Sequence, residues 1–129
     1  NNYSSSKANT IQHDLYPNED AATILWGKGW CMPTKAQFDE LLANTTDEWT
    51  AISGVNGRKF TASNGNYIFF PAAGYVDGGS LLNRGSNGFY WSRSFYSASG
   101  AWLLGFHSSE RVVDTNSRYY GFGVRPVRA

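Results

Sequence analysis

A chain of 129 residues is the size of one domain and can bury roughly two-thirds of its extended surface in a single core. Eleven basic residues stand against ten acidic ones, a formal net charge of +1, and the seven arginines are scattered, so no basic field invites nucleic acid. A single cysteine, Cys31, excludes an internal disulfide and a cysteine-rich zinc site, and no apolar run is long enough for a membrane-spanning helix.

Residues 1–15 are polar, rich in Asn and Ser, and read as a lead-in to a domain over 16–129. The chain begins without an initiator methionine, which suggests a processed product or a fragment. In "YPNEDAATILWGKG", Pro17, Glu19 and Asp20 suit the start of a helix, and Gly27 and Gly29 suit its end. "MPTKAQFDELLANT" predicts a second helix, with Thr34 and Gln37 as a capping box and Phe38, Leu41 and Leu42 as one apolar stripe. Asp39 and Glu40 on it are sequence neighbours that face different ways, so they read as solvated surface rather than an acid–base pair.

After Asn44 the pattern changes to strands. "EWTAISGVNGRKFTAS" predicts two of them around an Asn56-Gly57 turn, and residues 67–70 a buried strand ended by Pro71. "VDGGSLLNRGSNG" reads as a long glycine-rich loop. Further strands are expected at "FYWSRS", "AWLLGFH" and "FGVRPVR", joined by polar loops. Helices first and strands afterwards predict an α+β domain, with Trp26, Phe38, Leu41, Phe69, Trp91, Trp102, Leu104 and Phe106 in its core.

Strand alternation divides the aromatic-rich C-terminal half. Trp102, Leu104 and Phe106 share a bulky face, whereas Ala101, Leu103, Gly105 and His107 share a mixed one. The residues left after the core is assigned are Arg93, Phe95, Tyr96, Leu103, His107, Arg111, Asp114, Asn116, Tyr119 and Tyr120. Tyr, Phe, Asn and occasional Arg make up a composition like that of an antibody paratope, and these ten residues are expected to lie together on one exposed face. His13 and His107 have no partners at metal-ligand spacing, and Asp77 and Asp114 offer too few hard oxygens for calcium. No nucleophile elbow, Walker loop or dinucleotide fingerprint occurs, and no cofactor is expected. Two classes of function remain: a non-enzymatic binding module, and a structural or adhesive module whose aromatic face packs on a neighbouring domain.

The phrases "DAATILWGKGWCMPTKAQFDELL", "VNGRKFTASNGNYIFFPAAGY" and "FYWSRS…AWLLGF…RYYGFGVRPVR" together resemble the major paralogous (FISUMP-type) domain of secreted bacterial proteins, over about residues 19–129. That family is similar in fold to the C-type-lectin-like sulfatase-modifying-factor proteins. The resemblance implies a C-type-lectin-like domain with two helices packed on twisted antiparallel sheets. Cys31 stands where the family more usually has an arginine, and no cysteine follows it, so the cysteine chemistry of the sulfatase-modifying enzymes is not implied. The ending "GFGVRPVRA" also resembles that of the variable proteins of diversity-generating retroelements in gut bacteria and their phages. Such proteins carry a C-terminal segment mutagenised at template adenines, which does not readily yield Lys, Gln, Glu, Met or Trp. Over residues 93–120 only Trp102 and Glu110 belong to that excluded set. The resemblance implies an exported protein, secreted or held at a cell or virion surface, with a protein or glycan ligand on a cell surface.

Overall fold

The computed structural model describes residues 13–128. Asp20 opens the first helix, α1 (Ala21–Trp26), by accepting hydrogen bonds from the N–H groups of Ala22 (2.9 Å) and Thr23 (3.2 Å). The same buried carboxylate takes the N–H of Met32 at 2.9 and 3.1 Å, which ties the helix to the chain beyond its end. α1 buries only Ala22; Ile24, Leu25 and Trp26 are exposed. The second helix, α2 (Lys35–Asn44), starts with the expected capping box: Thr34 Oγ1 accepts the Gln37 N–H at 3.1 Å, and Gln37 Oε1 accepts the Thr34 N–H at 2.9 Å. Phe38 is driven into the core, with Leu41 and Leu42 packed beside it.

The rest is antiparallel β structure in four small sheets. β1 (Trp30–Cys31) pairs with β10 (Val127–Arg128); β2 (Thr45–Ile52), β3 (Val55–Ala62) and β4 (Tyr67–Pro71) form a meander; β5 (Tyr75–Asp77) and β6 (Ser80–Leu82) form a hairpin; β7 (Gly88–Phe95), β8 (Gly100–Phe106) and β9 (Arg111–Ser117) form the last sheet, with β8 in the middle. The β2–β3 turn is Ser53-Gly54, not Asn56-Gly57, since Ile52 pairs with Val55. Both turn residues have positive φ (52° and 79°), as a type I′ hairpin requires. Gly57 instead sits inside β3, where a Cβ would come 2.3 Å from the Phe70 carbonyl oxygen. Pro71, which has no N–H to donate, ends β4 at the sheet edge.

The expected C-type-lectin-like α+β fold with two packed helices is thereby corrected: the domain is mostly β, in separate short sheets, with one ten-residue helix and one of six residues. Its physical origin is local: α1 stops after six residues at Gly27, and the turns at Ser53-Gly54, Asn64-Gly65 and Gly78-Gly79 fold the chain after Asn44 into short antiparallel hairpins.

β8 separates two core clusters. Leu104 lies opposite Tyr90 and Val113, and this face packs with Phe38, Phe60, Phe70 and Phe106. Leu103 lies opposite Trp91 and Asp114, and this face packs with Leu15, Ala22, Met32 and Ala101. The second cluster is closed by the C-terminal segment. Gly121 and Val76 exchange two backbone hydrogen bonds of 2.7 Å, and Gly123 donates to Phe89 O and accepts from Trp91 N, so Phe122 stacks over Trp91 with ring centres 4.4 Å apart. Of the expected core, Phe38, Trp91, Leu104 and Phe106 are buried, Leu41, Phe69 and Trp102 are half-buried, and Trp26 is exposed because α1 presents that turn to solvent.

Candidate binding face

β9 is an edge strand, and its register sets what it displays. Val112, Asp114 and Asn116 lie on the face of Gly105, Leu103 and Ala101. The Arg118 N–H, in phase with those of Asp114 and Asn116, bonds to Ser99 O at 2.9 Å, so the N–H groups of Thr115 and Ser117 point away from β8. Asp114 Oδ1 accepts the first at 2.7 Å and Asn116 Oδ1 the second at 2.8 Å. The edge is thus blunted against strand addition, and what remains available is the face.

Three adjoining hollows occupy that face and its rim, and all include Asn116. One, of about 150 Å³, has Leu103 and Gly105 as its floor, Phe89 and Asp114 as sides, and His107 and Glu110 at one end. The next, of about 180 Å³, lies between Asn83, Asn116 and the rings of Tyr75, Phe89, Tyr120 and Phe122. The third, of about 210 Å³, is rimmed by Tyr96, Ser97, Ser99, Thr115, Asn116 and Ser117. A separate apolar hollow of about 230 Å³ lies beyond Phe122, walled by second-cluster residues such as Leu15, Met32 and Trp91.

The middle hollow has an aromatic frame. Tyr75 meets Phe89, Tyr120 and Phe122 edge-on at 5.4, 5.7 and 6.1 Å, and Phe122 stacks on Phe89 at 5.0 Å and on Tyr120 at 5.7 Å. Such arrangements suit the ring quadrupoles and are worth about 0.5–1.5 kcal/mol per pair beyond burial. Tyr119 leans on Tyr120 at 4.5 Å and projects outward, about half exposed. The two hydroxyls share a hydrogen bond of 3.3 Å; with Tyr120 as its donor that bond holds the phenol proton and, with smaller contributions from burial and Asp77, raises the Tyr120 phenol to about 12. Tyr120 is therefore a neutral donor and acceptor at ordinary pH.

The far end of the face is fixed from another sheet. Arg58 on β3 is buried; one of its terminal nitrogens donates to the His107 carbonyl at 2.7 Å, and another lies 3.6 Å from the Asp47 carboxylate.

The ten expected site residues do not share one exposed face. His107, Asp114, Asn116, Tyr120 and Tyr96 line the three hollows, with Tyr119 beside them. Leu103 is floor rather than contact surface, only 3 % exposed, because β8 is a central strand covered on both sides. Arg111 points to the opposite face, its Nε 2.7 and 3.1 Å from the two Asp47 oxygens. Arg93 is on the α1 flank, its N–H bonded to Pro33 O and its carbonyl to Leu15 N, beside Asp20 and Cys31. Phe95 lies under the Arg118 guanidinium at 5.9 Å, and its N–H donates to Asp14. Conversely, Tyr75, Asn83, Phe89 and Phe122 belong to the face and were not expected there. Gly78-Gly79 between "YVD" and "SLL" was the available signal, since a two-residue glycine turn makes a hairpin that carries Tyr75 to the site.

These features define a small β-rich domain presenting a concave surface of tyrosines and amides on a packed aromatic base. A family model described as a domain of unknown function, DUF8237, matches residues 42–127, and the chain belongs to that family. The match takes in every element of the three hollows and leaves out α1 and β1. No curated protein and no solved structure matches the chain.

Proposed function

We propose that the chain is a non-enzymatic binding module of an exported protein, and that its ligand contacts the three hollows meeting at Asn116. The observation that carries this reading is the separation of surface from core. Tyr96, Asp114, Asn116 and Tyr119 are exposed, while Leu104 and Trp91, on the strands that carry the face, are buried in the two clusters; Tyr120 and Phe122 stand between, packed on the core and lining the middle hollow. Side chains on such a face exchange at little cost to folding, since surface substitutions away from special features usually change stability by under about 0.5 kcal/mol. Tyrosine and asparagine supply large contact area and adaptable hydrogen bonds, as in paratopes.

The same separation suits a variable protein of a diversity-generating retroelement. Trp102, one of two residues over 93–120 outside the mutagenised set, lines none of the three hollows; it carries Lys35 4.8 Å over its ring and meets Tyr96 of the third hollow edge-on at 5.4 Å. The other, Glu110, is exposed at the rim of the first hollow.

The test is a yeast-display library with Tyr96, Asp114, Asn116, Tyr119 and Tyr120 fully varied, sorted for surface expression and for binding to unrelated probe proteins such as lysozyme and streptavidin. Most members should display like the parent, and binders to each probe should be enriched. A library that mostly fails to display, or displays without yielding binders, refutes the reading. For diversification, the gene's neighbourhood should hold a near-copy of the codons for residues 89–129, differing only at adenines, beside a reverse transcriptase gene.

A further inference from the structure

The middle hollow has a distinctive chemistry. Its lining is four aromatic rings and two amides, with no Lys, Arg, His, Asp or Glu among them. The hollow beyond Asn116 is alike in kind, lined by Tyr96 and by the hydroxyls of serine and threonine. Asn83 holds its place through its backbone: its carbonyl accepts from the N–H groups of Ser86 (3.1 Å) and Asn87 (3.0 Å) and from Ser86 Oγ (3.0 Å). It adopts a left-handed φ of 57°, a conformation in which asparagine is among the better-tolerated residues. Its side-chain amide makes no hydrogen bond among the described residues and lines the hollow. Asn116 uses Oδ1 on Ser117 and leaves its NH₂ group for a ligand.

We propose that this hollow binds one neutral sugar residue, a hexose or N-acetylhexosamine of a glycan, without calcium. The inference rests on the reading of this face as a ligand surface and names the ligand class. A pyranose has an apolar C–H face that packs against aromatic rings and a rim of hydroxyls that both donate and accept. The rings of Tyr75, Phe89 and Tyr120, seated on Phe122, which is itself stacked against Trp91 and Phe89, meet the first requirement, and the Asn83 and Asn116 amides meet the second. A phosphorylated or carboxylated ligand would need a cation such as arginine, and the hollow offers none. At about 180 Å³ it has room for one ring, below the roughly 300 Å³ at which pockets for drug-sized ligands begin.

The experiment is an NMR titration of the ¹⁵N-labelled chain, in buffer with a calcium chelator. The probes are the methyl glycosides of glucose, galactose, mannose and N-acetylglucosamine, with glucose 6-phosphate and a Ser/Asn-rich tetrapeptide as controls. At least one neutral glycoside should give saturable shifts at Asn83, Asn116 and Tyr120, with Kd on the order of 1–10 mM as for a single weak site. Asn83→Gly, which keeps the left-handed turn, and Asn116→Ala should each weaken binding at least about fivefold. Glu48→Ala, an exposed position on β2 that lines none of the three hollows, should leave it unchanged. The proposal is overturned by absence of response to every glycoside, by shifts that map to another surface, by unchanged affinity in both asparagine variants, or by tighter binding of the peptide or the phosphorylated sugar. Binders recovered from the display library without a glycoside response here would sink the sugar assignment alone and leave the module reading standing.

Discussion

Asp47 sits between two arginines from different sheets, and its removal should cost far more than its pair with exposed Arg111 suggests. The Asp47→Ala chain loses the Arg111 Nε contacts of 2.7 and 3.1 Å and the Arg58 approach of 3.6 Å. Arg111 is well exposed, so its pair is worth no more than about 1 kcal/mol. Arg58 is different: its side chain is 8 % exposed, and among the described residues its Nε has no hydrogen-bond partner and, without Asp47, it keeps only the His107 carbonyl. A buried charge left uncompensated costs about 3–5 kcal/mol. Asp47→Ala is therefore expected to lose about 3–5 kcal/mol in urea unfolding, against at most about 1 for Arg111→Ala. Arg58→Met, which removes the buried charge and keeps much of the stem, should cost less than Asp47→Ala. The double variant Asp47→Ala/Arg58→Met should be more stable than Asp47→Ala alone. Equal losses for Asp47→Ala and Arg111→Ala, or a double variant at the sum of the singles, would refute the reasoning.

Two further substitutions follow from the same structure. Asp20→Ala strips the acceptor from three N–H groups, those of Ala22, Thr23 and Met32, and should cost about 2–4 kcal/mol in chemical unfolding, a lost cap plus a buried unpaired donor. The Tyr90 phenol, raised from 10.0 to about 12 by burial and drawn slightly back by Arg125, donates to Pro71 O. The fold favours its neutral form, so this contribution is complete below pH 10 and falls away between pH 10 and 12, by on the order of 3 kcal/mol. Tyr90→Phe should flatten unfolding free energy against pH in that window, and an unchanged slope would count against the assignment.

Local grammar was legible wherever one residue's chemistry decides the outcome. The α2 capping box and the Asp20 and Gly27 ends of α1 formed as the residue types dictate. Competition between equivalent signals was not legible. Ser53-Gly54 and Asn56-Gly57 both offer a turn, and the second was unavailable because β4 packs against Gly57. The segment of β9 reads as a polar loop, since "RVVDTNS" has only a short β-branched stretch, and pairing with β8 makes it a strand. The same pairing explains the site. A mixed face on β8 suggested exposure at Leu103, but the segment at 121–123, held against Val76, Phe89 and Trp91 by backbone hydrogen bonds, carries Phe122 into the cluster that buries it. Long-range backbone pairing of this kind leaves no local trace in composition. Arg93 and Arg111 belong to the expected face as part of the non-core remainder of the strands, and their actual orientation follows from a strand bulge after Trp91 and from Asp47 on another sheet.

The central claim is that the binding face is separable from the fold. It is tested most directly by the chain carrying Asp114→Ser, Asn116→Ser and Tyr119→Ser together, with its urea unfolding free energy measured against the parent. The account predicts one cooperative transition and a total loss of no more than about 3 kcal/mol, up to about 0.5 for each of three surface changes and about 0.5–1.5 for the lost contact of Tyr119 with Tyr120. A chain without a cooperative transition, or one less stable by more than about 5 kcal/mol, would show that these residues hold the domain together, and the account would be contradicted.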